Sequence, residues 1–397
     1  MFQNVKYYPG DPILGLMEQY KQDSRSQKVN LGVGVYYDDT GHVPVLECVK
    51  TVESQMVEKH LPHEYLPMEG FPGYRQACQK LLFGSEHEAI KTNRIATIAS
   101  LGGSGALRIG AEFIHQWFPQ AKTYVSDPTW GNHISIFEGA GIEVHKYPYY
   151  DPETIGIKFT ELKQFFLQLE AGSIILLHPC CHNPTGIDPT HQQWDEILDI
   201  IQQKQLIPFM DIAYQGFGDD IDTDTYAIRK AVDMGLCIYV SNSFSKNLSM
   251  YGERVGGLSI VCPTAEEARL VQSQLKFTIR RLYSNPPAYG GNVVDRVMNN
   301  SQLFQQWEQE VYIMRDRIRA MRSRLYEVLQ AKIPERDFSY FIKQRGMFSF
   351  TGLSPQQVNR LKKEFGVYLV ENGRMCMAGL NTSNIEYVAN AMAEVLK

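Results

Sequence analysis

Lys246 lies in Ser241-Asn-Ser-Phe-Ser-Lys-Asn-Leu-Ser-Met-Tyr-Gly-Glu-Arg-Val-Gly-Gly257, directly after the apolar run Leu236-Cys-Ile-Tyr-Val240. A lysine at the carboxyl end of a buried strand sits where α/β proteins place their ligands. Kept out of water beside a second cation, Arg254, its amine is partly neutral and able to attack a carbonyl. Ser243, Ser245 and Arg254 add two hydroxyls and a guanidinium, a set suited to a phosphate. Most lysines are simply solvated, so the assignment depends on what the rest of the chain supplies. Ser243-Phe-Ser-Lys246 also matches the SxxK pattern of serine acylation. That chemistry needs an SDN-like element and a downstream KTG strand, both missing here, and its SxxK opens a helix rather than closing a strand.

Other residues answer the lysine's needs. Asp211 closes the apolar run Ile207-Pro-Phe-Met210. A carboxylate there is an N-cap, half of a buried ion pair, or the anion that keeps a pyridine nitrogen protonated so that the ring accepts electrons. Tyr214 follows three residues later and can point into the same space. Asn183, in His182-Asn-Pro-Thr-Gly186, is a turn former or a donor to a ring oxygen. The nearby His178, Cys180, Cys181 and His182 suggest zinc, but adjacent cysteines do not readily supply tetrahedral spacing, so packing and supporting roles are expected and no metal site is assigned. Gly102-Gly103-Ser104-Gly105 precedes a helix and offers free N–H groups to an anion, without the Lys-Ser/Thr of a P-loop. Trp130 is core or a flat face for a ring. Arg280 and Arg374 are solvated surface groups or clamps for a carboxylate. Taken together, the set describes pyridoxal 5'-phosphate: Lys246 holds it covalently and Asp211 its nitrogen. Asn183 and Tyr214 reach its oxygen, and the glycine turn, Ser243, Ser245 and Arg254 hold its phosphate.

The elements that must position these residues are legible in outline. From about residue 95 the chain alternates apolar runs with helical periodicity: Ile95–Ala99, Thr123–Val125, Ser173–Leu177, Ile207–Met210 and Leu236–Val240. Each run is closed by polar residues, the pattern of parallel strands covered on both faces, which predicts a doubly wound α/β domain. Asp11-Pro12 reads as a helix start, with Asp11 as N-cap and Ile13, Leu16, Met17 and Tyr20 at helical spacing. Leu31-Gly-Val-Gly-Val-Tyr36 reads as a short extended piece. Leu303, Trp307, Val311, Met314, Ile318, Met321, Leu325 and Val328 predict a helix of about 30 residues, on the order of 45 Å long. Beyond it come a strand at Met347–Phe350, a capping box at Ser354–Gln357, and a predicted hairpin of Val367–Val370 with Arg374–Ala378. The expected division is a large domain over residues 45–300 and a smaller α+β domain from 1–44 and 301–397, joined by the long helix near 301–331.

The 397 residues carry a formal net charge of -5, with 44% hydrophobic and 21% charged residues. That balance argues against a nucleic-acid binder. No apolar run approaches the roughly 20 residues of a membrane span, and the amino terminus lacks a leader-like apolar stretch. Seven cysteines without a disulfide or CxxC pattern fit a reducing, cytoplasmic location.

The order of these motifs resembles the aspartate/aromatic aminotransferases, fold-type I pyridoxal-phosphate enzymes, over nearly the whole chain. The resemblance runs through Tyr65 to Gly70, Gly102 to Arg108, Ser126 to Trp130, His178-Pro-Cys-Cys-His-Asn-Pro-Thr-Gly186 and Asp211-Ile-Ala-Tyr214. It continues through Ser241 to Lys246, Tyr251 to Gly256, Tyr283-Ser-Asn-Pro-Pro287 and Gly373 to Leu380. Gly-Gly-Ser-Gly, Ser-Phe-Ser-Lys and Arg345-Gly-Met-Phe-Ser-Phe-Thr-Gly-Leu-Ser354 look most similar to the bacterial aromatic-amino-acid (tyrosine) branch. Ser104 stands where aspartate aminotransferases commonly carry Thr and keeps the hydroxyl. The resemblance implies transamination of tyrosine and phenylalanine, with aspartate and glutamate also accepted and 2-oxoglutarate as acceptor. The alternative is an aspartate aminotransferase. It further implies a homodimer in which Tyr65 reaches the phosphate and Arg280 the substrate side chain from the neighbouring subunit. Arg374 would clamp the α-carboxylate, Gly34 would lie against substrate, and His133 would support Asp211. A non-enzymatic regulator that borrowed this fold would carry an added DNA-binding domain, which this acidic chain does not show.

Overall fold

The computed structural model describes residues 1–8, 10, 12–60 and 62–397. Its strands in chain order are β1 (Val29–Asn30), β2 (Ile95–Leu101), β3 (Thr123–Asp127), β4 (Val144–Pro148), β5 (Tyr150–Asp151), β6 (Gly156–Ile157) and β7 (Ile174–Leu177). They continue with β8 (Ile207–Ile212), β9 (Tyr239–Ser243), β10 (Val255–Val261), β11 (Phe348–Phe350), β12 (Val367–Tyr368) and β13 (Arg374–Cys376). Seven of them form one sheet in the order β2-β10-β9-β8-β7-β3-β4. The pairs β9–β8, β8–β7, β7–β3 and β3–β4 are parallel. The apolar runs become strands because helices cover both faces: Ile98, Phe209, Val240 and Leu258 are wholly buried, each contributing roughly 1.5–3 kcal/mol. The helix Gly102–Trp117 packs on β9 and β10. At Gly110 the approach is so close that a Cβ would sit 2.6 Å from the Phe209 ring.

One strand departs from the parallel pattern. Val255–Val261, not read as a strand from sequence, runs antiparallel to both β2 and β9. Its direction matters for the site. The carboxyl ends of β2, β3, β7, β8 and β9 lie along one edge of the sheet, and β10 presents its amino end there. Arg254, immediately before β10, therefore arrives beside the residues that leave β9. The strand carrying the serines also ends later than the apolar run suggests, at Ser243 rather than Val240. Its continuation past the apolar residues follows from full pairing with β8 and β10.

The terminal segments pack together around the long helix Ser301–Lys332, 32 residues capped by the Asn300 side chain on the N–H groups of Gln302 and Leu303. Its buried stripe includes each apolar residue predicted for it. Trp307 Nε1 donates to Asn247 O at 2.7 Å, pinning this helix to the residue after Lys246. Arg322, also buried, donates to Ser349 Oγ at 2.5 Å and Phe348 O at 2.7 Å, which fixes β11. The capping box at Ser354 and Gln357 is formed. The hairpin is not. β12 pairs in parallel with β1, and β13 pairs antiparallel with β11. The Asn-Gly turn exists, with Gly373 N bonded to Val370 O, but strands this short are claimed by whichever partner buries them. Leu31–Tyr36 is irregular after the two-residue β1. The predicted cap Asp11 lies outside the described residues; the helix itself covers Pro12–Gln22.

Candidate active site

A cavity of about 240 Å³ opens at the carboxyl edge of the sheet. All the sequence-predicted site residues except Gly102, Tyr65 and Arg280 line it. Lys246 comes from the turn after β9, and its Nζ lies 4.9 Å from the centroid of the Tyr214 ring. Burial pushes the Lys246 amine down to about 8, Asp211 pulls it back up, and Arg254 adds to the depression. The site thus makes the amine a nucleophile near neutral pH.

Asp211, at the end of β8, is held from two sides. His133 Nε2 stands 3.0 Å from Oδ2, and Ser241 Oγ donates to Oδ1 at 2.5 Å. Thr129 Oγ1 lies 2.9 Å from His133 Nδ1, orienting the ring. Burial acts to raise the carboxyl, but the opposing effects, led by the His133 hydrogen bond and including that from Ser241, outweigh it, leaving Asp211 below its ordinary value. An anion buried this way, facing a cavity, is ready for a cationic nitrogen. Burial also drives His178 down to about 3, so its imidazole is neutral. Its Nδ1 accepts from Asn183 N at 3.1 Å.

Three further elements meet at the cavity wall. The helix Gly102–Trp117 begins with no side-chain cap, so its first N–H groups and dipole face the cavity at Gly103 and Ser104. Ser243 Oγ and Ser245 Oγ are 3.1 Å apart, and Arg254 Nη1 donates to Ser245 Oγ at 3.2 Å. Arg254 holds a φ of +53° to make this turn, at a strain of roughly 1–2 kcal/mol. Gly102 stands just behind it: a Cβ there would sit 2.6 Å from Arg254 Nη2. Free N–H groups, two hydroxyls and a guanidinium form a phosphate cradle.

Arg374, Gly34 and Trp130 complete the lining. Arg374, on β13, is buried, donates to Gly32 O at 2.7 Å, and lies 4.4 Å over the Phe348 ring. Gly34 faces the same ring, where a Cβ would come within 2.7 Å of Phe348 Cζ. Trp130 packs edge-on against His133 with centroids 5.1 Å apart. Lys246, Arg254 and Arg374 face a single anion, Asp211, so the cavity favours a ligand bearing phosphate and carboxylate groups.

Tyr65 and Arg280 stand apart from this cavity. Tyr65 is 92% exposed, and Arg280 is exposed with its guanidinium on Ser284 Oγ. Sequence reasoning missed Ile13, Ala213, Tyr251 and Phe348 on the wall and Thr129 and Ser241 behind it. Neither Phe348 nor Tyr251 carries a local signal of a site; Thr129, four residues before a histidine, does. The four-residue zinc set around His178 does not converge. His182 is bonded to Ser126 and Thr185 and stacked on Tyr149, whereas both cysteines turn toward Asp224.

The cavity fits pyridoxal phosphate on its own features. Asn183 Oδ1 is buried with no hydrogen-bond partner, an orphan that a hydroxyl on a bound ring would satisfy. The phosphate cradle and the nitrogen-facing carboxylate line the same cavity. Comparisons agree. The sequence profile described as aminotransferase class I and II matches residues 26–392. The aromatic-amino-acid aminotransferase of Escherichia coli (strain K12) is 54% identical over 397 residues, all of both chains. A psychrophilic aromatic amino acids aminotransferase from Psychrobacter sp. B6, cocrystallised with aspartic acid, superposes with a TM-score of 0.99 at 62% identity, covering all of both chains. An aromatic-amino-acid aminotransferase from Burkholderia pseudomallei, covalently bound to pyridoxal phosphate, gives 0.99 at 49% identity, also over all of both chains. A pyridoxal-phosphate cavity on this sheet, matched end to end by such relatives, means that the chain belongs to the class I and II aminotransferases.

Proposed function

We propose that this chain transaminates tyrosine and phenylalanine, accepts aspartate and glutamate as well, and uses 2-oxoglutarate as amino acceptor. The observation that carries the reading is the Lys246 amine, depressed to about 8, set in one cavity with the buried Asp211 and Arg374. When bound, pyridoxal phosphate supplies a carbonyl for the amine to bond and an electron sink for charge at the substrate Cα. Lys246 would hold the group through its amine and, with a substrate amine in the site, would accept the α-proton at Nζ and return it. Asp211, kept anionic by His133 and Ser241, holds a proton at the ring nitrogen. Asn183 and Tyr214 orient the ring oxygen, and Trp130 covers a ring face. Gly102, Gly103, Ser104, Ser243, Ser245 and Arg254 hold the phosphate. Arg374 binds the α-carboxylate, with Gly34 and Phe348 forming the wall beside it.

The same reading divides the chain into a large domain, 45–300, and a small one, 1–44 with 301–397, bridged by the long helix. It makes the protein a homodimer. The exposure of Tyr65 and Arg280, away from the cavity of their own chain, supports their serving the partner's site. Among the described residues no helix is long and apolar enough to cross a membrane, and the seven cysteines are free, which suits a cytoplasmic enzyme. The deciding experiment compares kcat/KM for phenylalanine and tyrosine with that for aspartate. A preference for aspartate of about a hundredfold or more would make the chain an aspartate aminotransferase.

A further inference from the structure

Cys180 and Cys181 are sequence neighbours, and in extended chain their side chains would point apart. Cys181 instead takes a φ of +53°, and this left-handed turn brings both thiols to one side. The two sulfurs and a carboxylate oxygen of Asp224 all lie within 4.8 Å of one another, and all three residues are buried. Asp224 is held rigidly, accepting from Gly216 N at 2.8 Å, Gly218 N at 2.9 Å and Asp219 N at 2.8 Å. A ligating carboxylate fixed by outer hydrogen bonds is the arrangement metal sites use.

A second cavity, of about 550 Å³, shares the Cys180 wall with the first and is also lined by Asp224. Glu153, Asp188, Asp219 and Asp337 line it against Lys343 and Arg345, so its field draws cations inward. We propose that Cys180, Cys181 and Asp224 form a binding site for a soft divalent cation of the zinc group, reached from this second cavity, and that filling it slows turnover. Two sulfurs and one oxygen, with water in the fourth position, suit a closed-shell tetrahedral ion. Binding replaces two S–H bonds with two sulfur–metal bonds and releases two protons to solvent. The ion competes with these protons for the sulfurs, so affinity rises with pH.

The link to turnover is through the backbone. Cys181 N and His182 N both donate to Asp188, at 2.7 and 2.8 Å, and Asn183 follows directly with its amide in the first cavity. Sulfurs about 2.3 Å from a tetrahedral ion stand about 3.8 Å apart. Holding them at that spacing constrains the segment that places Asn183.

The test uses the holoenzyme carrying Cys237→Ser, which removes the one exposed thiol, titrated with Cd2+ as the probe. Expected are one ion per chain by equilibrium dialysis, an ultraviolet thiolate-to-metal band, and a fall in turnover that a chelator reverses. Adding Cys180→Ser or Cys181→Ser should abolish the band, and Asp224→Asn should weaken binding by roughly tenfold or more. Should Cys181→Ser fail to fold because it disturbs the left-handed turn, Cys180→Ser carries the test alone. Absence of a bound ion, or a band and stoichiometry indifferent to Cys180→Ser, overturns the site. Binding at full stoichiometry with unchanged turnover overturns the coupling to Asn183. These binding readouts do not depend on which amino acid is the substrate.

Discussion

Lys246 in the apoenzyme should titrate far below a surface lysine, and its neighbours should move it in opposite directions. A drop from 10.5 to about 8 corresponds to roughly 3 kcal/mol against the ammonium form at 1.36 kcal/mol per unit. At pH 7 it raises the neutral fraction by roughly 300-fold over an unperturbed lysine. The sign for stability follows: between about pH 8 and 10.5 the unfolded chain holds the proton and the folded chain does not. The apoenzyme therefore gains stability from this group as pH rises through that window, and below it carries the full penalty. Burial is the main cause, so substitution should not restore 10.5. Asp211→Asn removes the one anion that raises the amine and should lower its pKa further; Arg254→Gln removes a cation and should raise it. The assay is the pH dependence of amine-selective labelling of the apoenzyme, followed by mass spectrometry on the peptide bearing Lys246. A parent pKa near 10, or a rise on Asp211→Asn, would refute the electrostatic account of the nucleophile.

Three further outcomes follow from the geometry. Arg374→Lys keeps the charge but loses the two-pronged clamp, so kcat/KM should fall by roughly 2–5 kcal/mol for aromatic and dicarboxylic substrates alike; steady-state kinetics on phenylalanine and aspartate would expose a loss confined to one class. Gly34→Ala places a methyl where Phe348 Cζ stands 2.7 Å from the added carbon; the ring must shift under Arg374, and kcat/KM for phenylalanine should drop by roughly 1–3 kcal/mol with cofactor absorbance unchanged. The proposed shared-site dimer predicts that mixing Lys246→Ala with Arg280→Ala, after reversible dissociation, restores roughly a quarter of the dicarboxylate sites, because hybrids would pair an intact lysine with an intact arginine; no recovery would overturn the assignment of Arg280 to the partner's site.

Much of the site was readable before any fold was known, for a physical reason. Asp211 abuts an apolar run, Lys246 and Asn183 lie in the turns that follow two others, and a polar group at the end of a buried strand needs a partner. The same adjacency placed Ser243, Ser245 and Ser104 within reach of an anion. The long helix was equally plain, since a stripe repeating from Leu303 to Val328 needs no partner's identity to be helical. Local pattern stopped working where pairing decided the outcome. Val255–Val261 was not read as a strand, yet only its antiparallel insertion brings Arg254 to Ser245. β12 and β13 looked like one hairpin, yet each buries its edge against a different strand.

Residue types and their spacing therefore determined the cofactor chemistry: an amine, a carboxylate and a phosphate cradle must each lie at a strand end, where burial tunes their charge. Tertiary structure alone decided how these ends converge, which aromatics wall the cavity beside Gly34 and Arg374, and that Cys180 and Cys181 face the same way. Those depend on strand direction, on one left-handed residue, and on contacts between segments hundreds of residues apart, none of which a local pattern encodes.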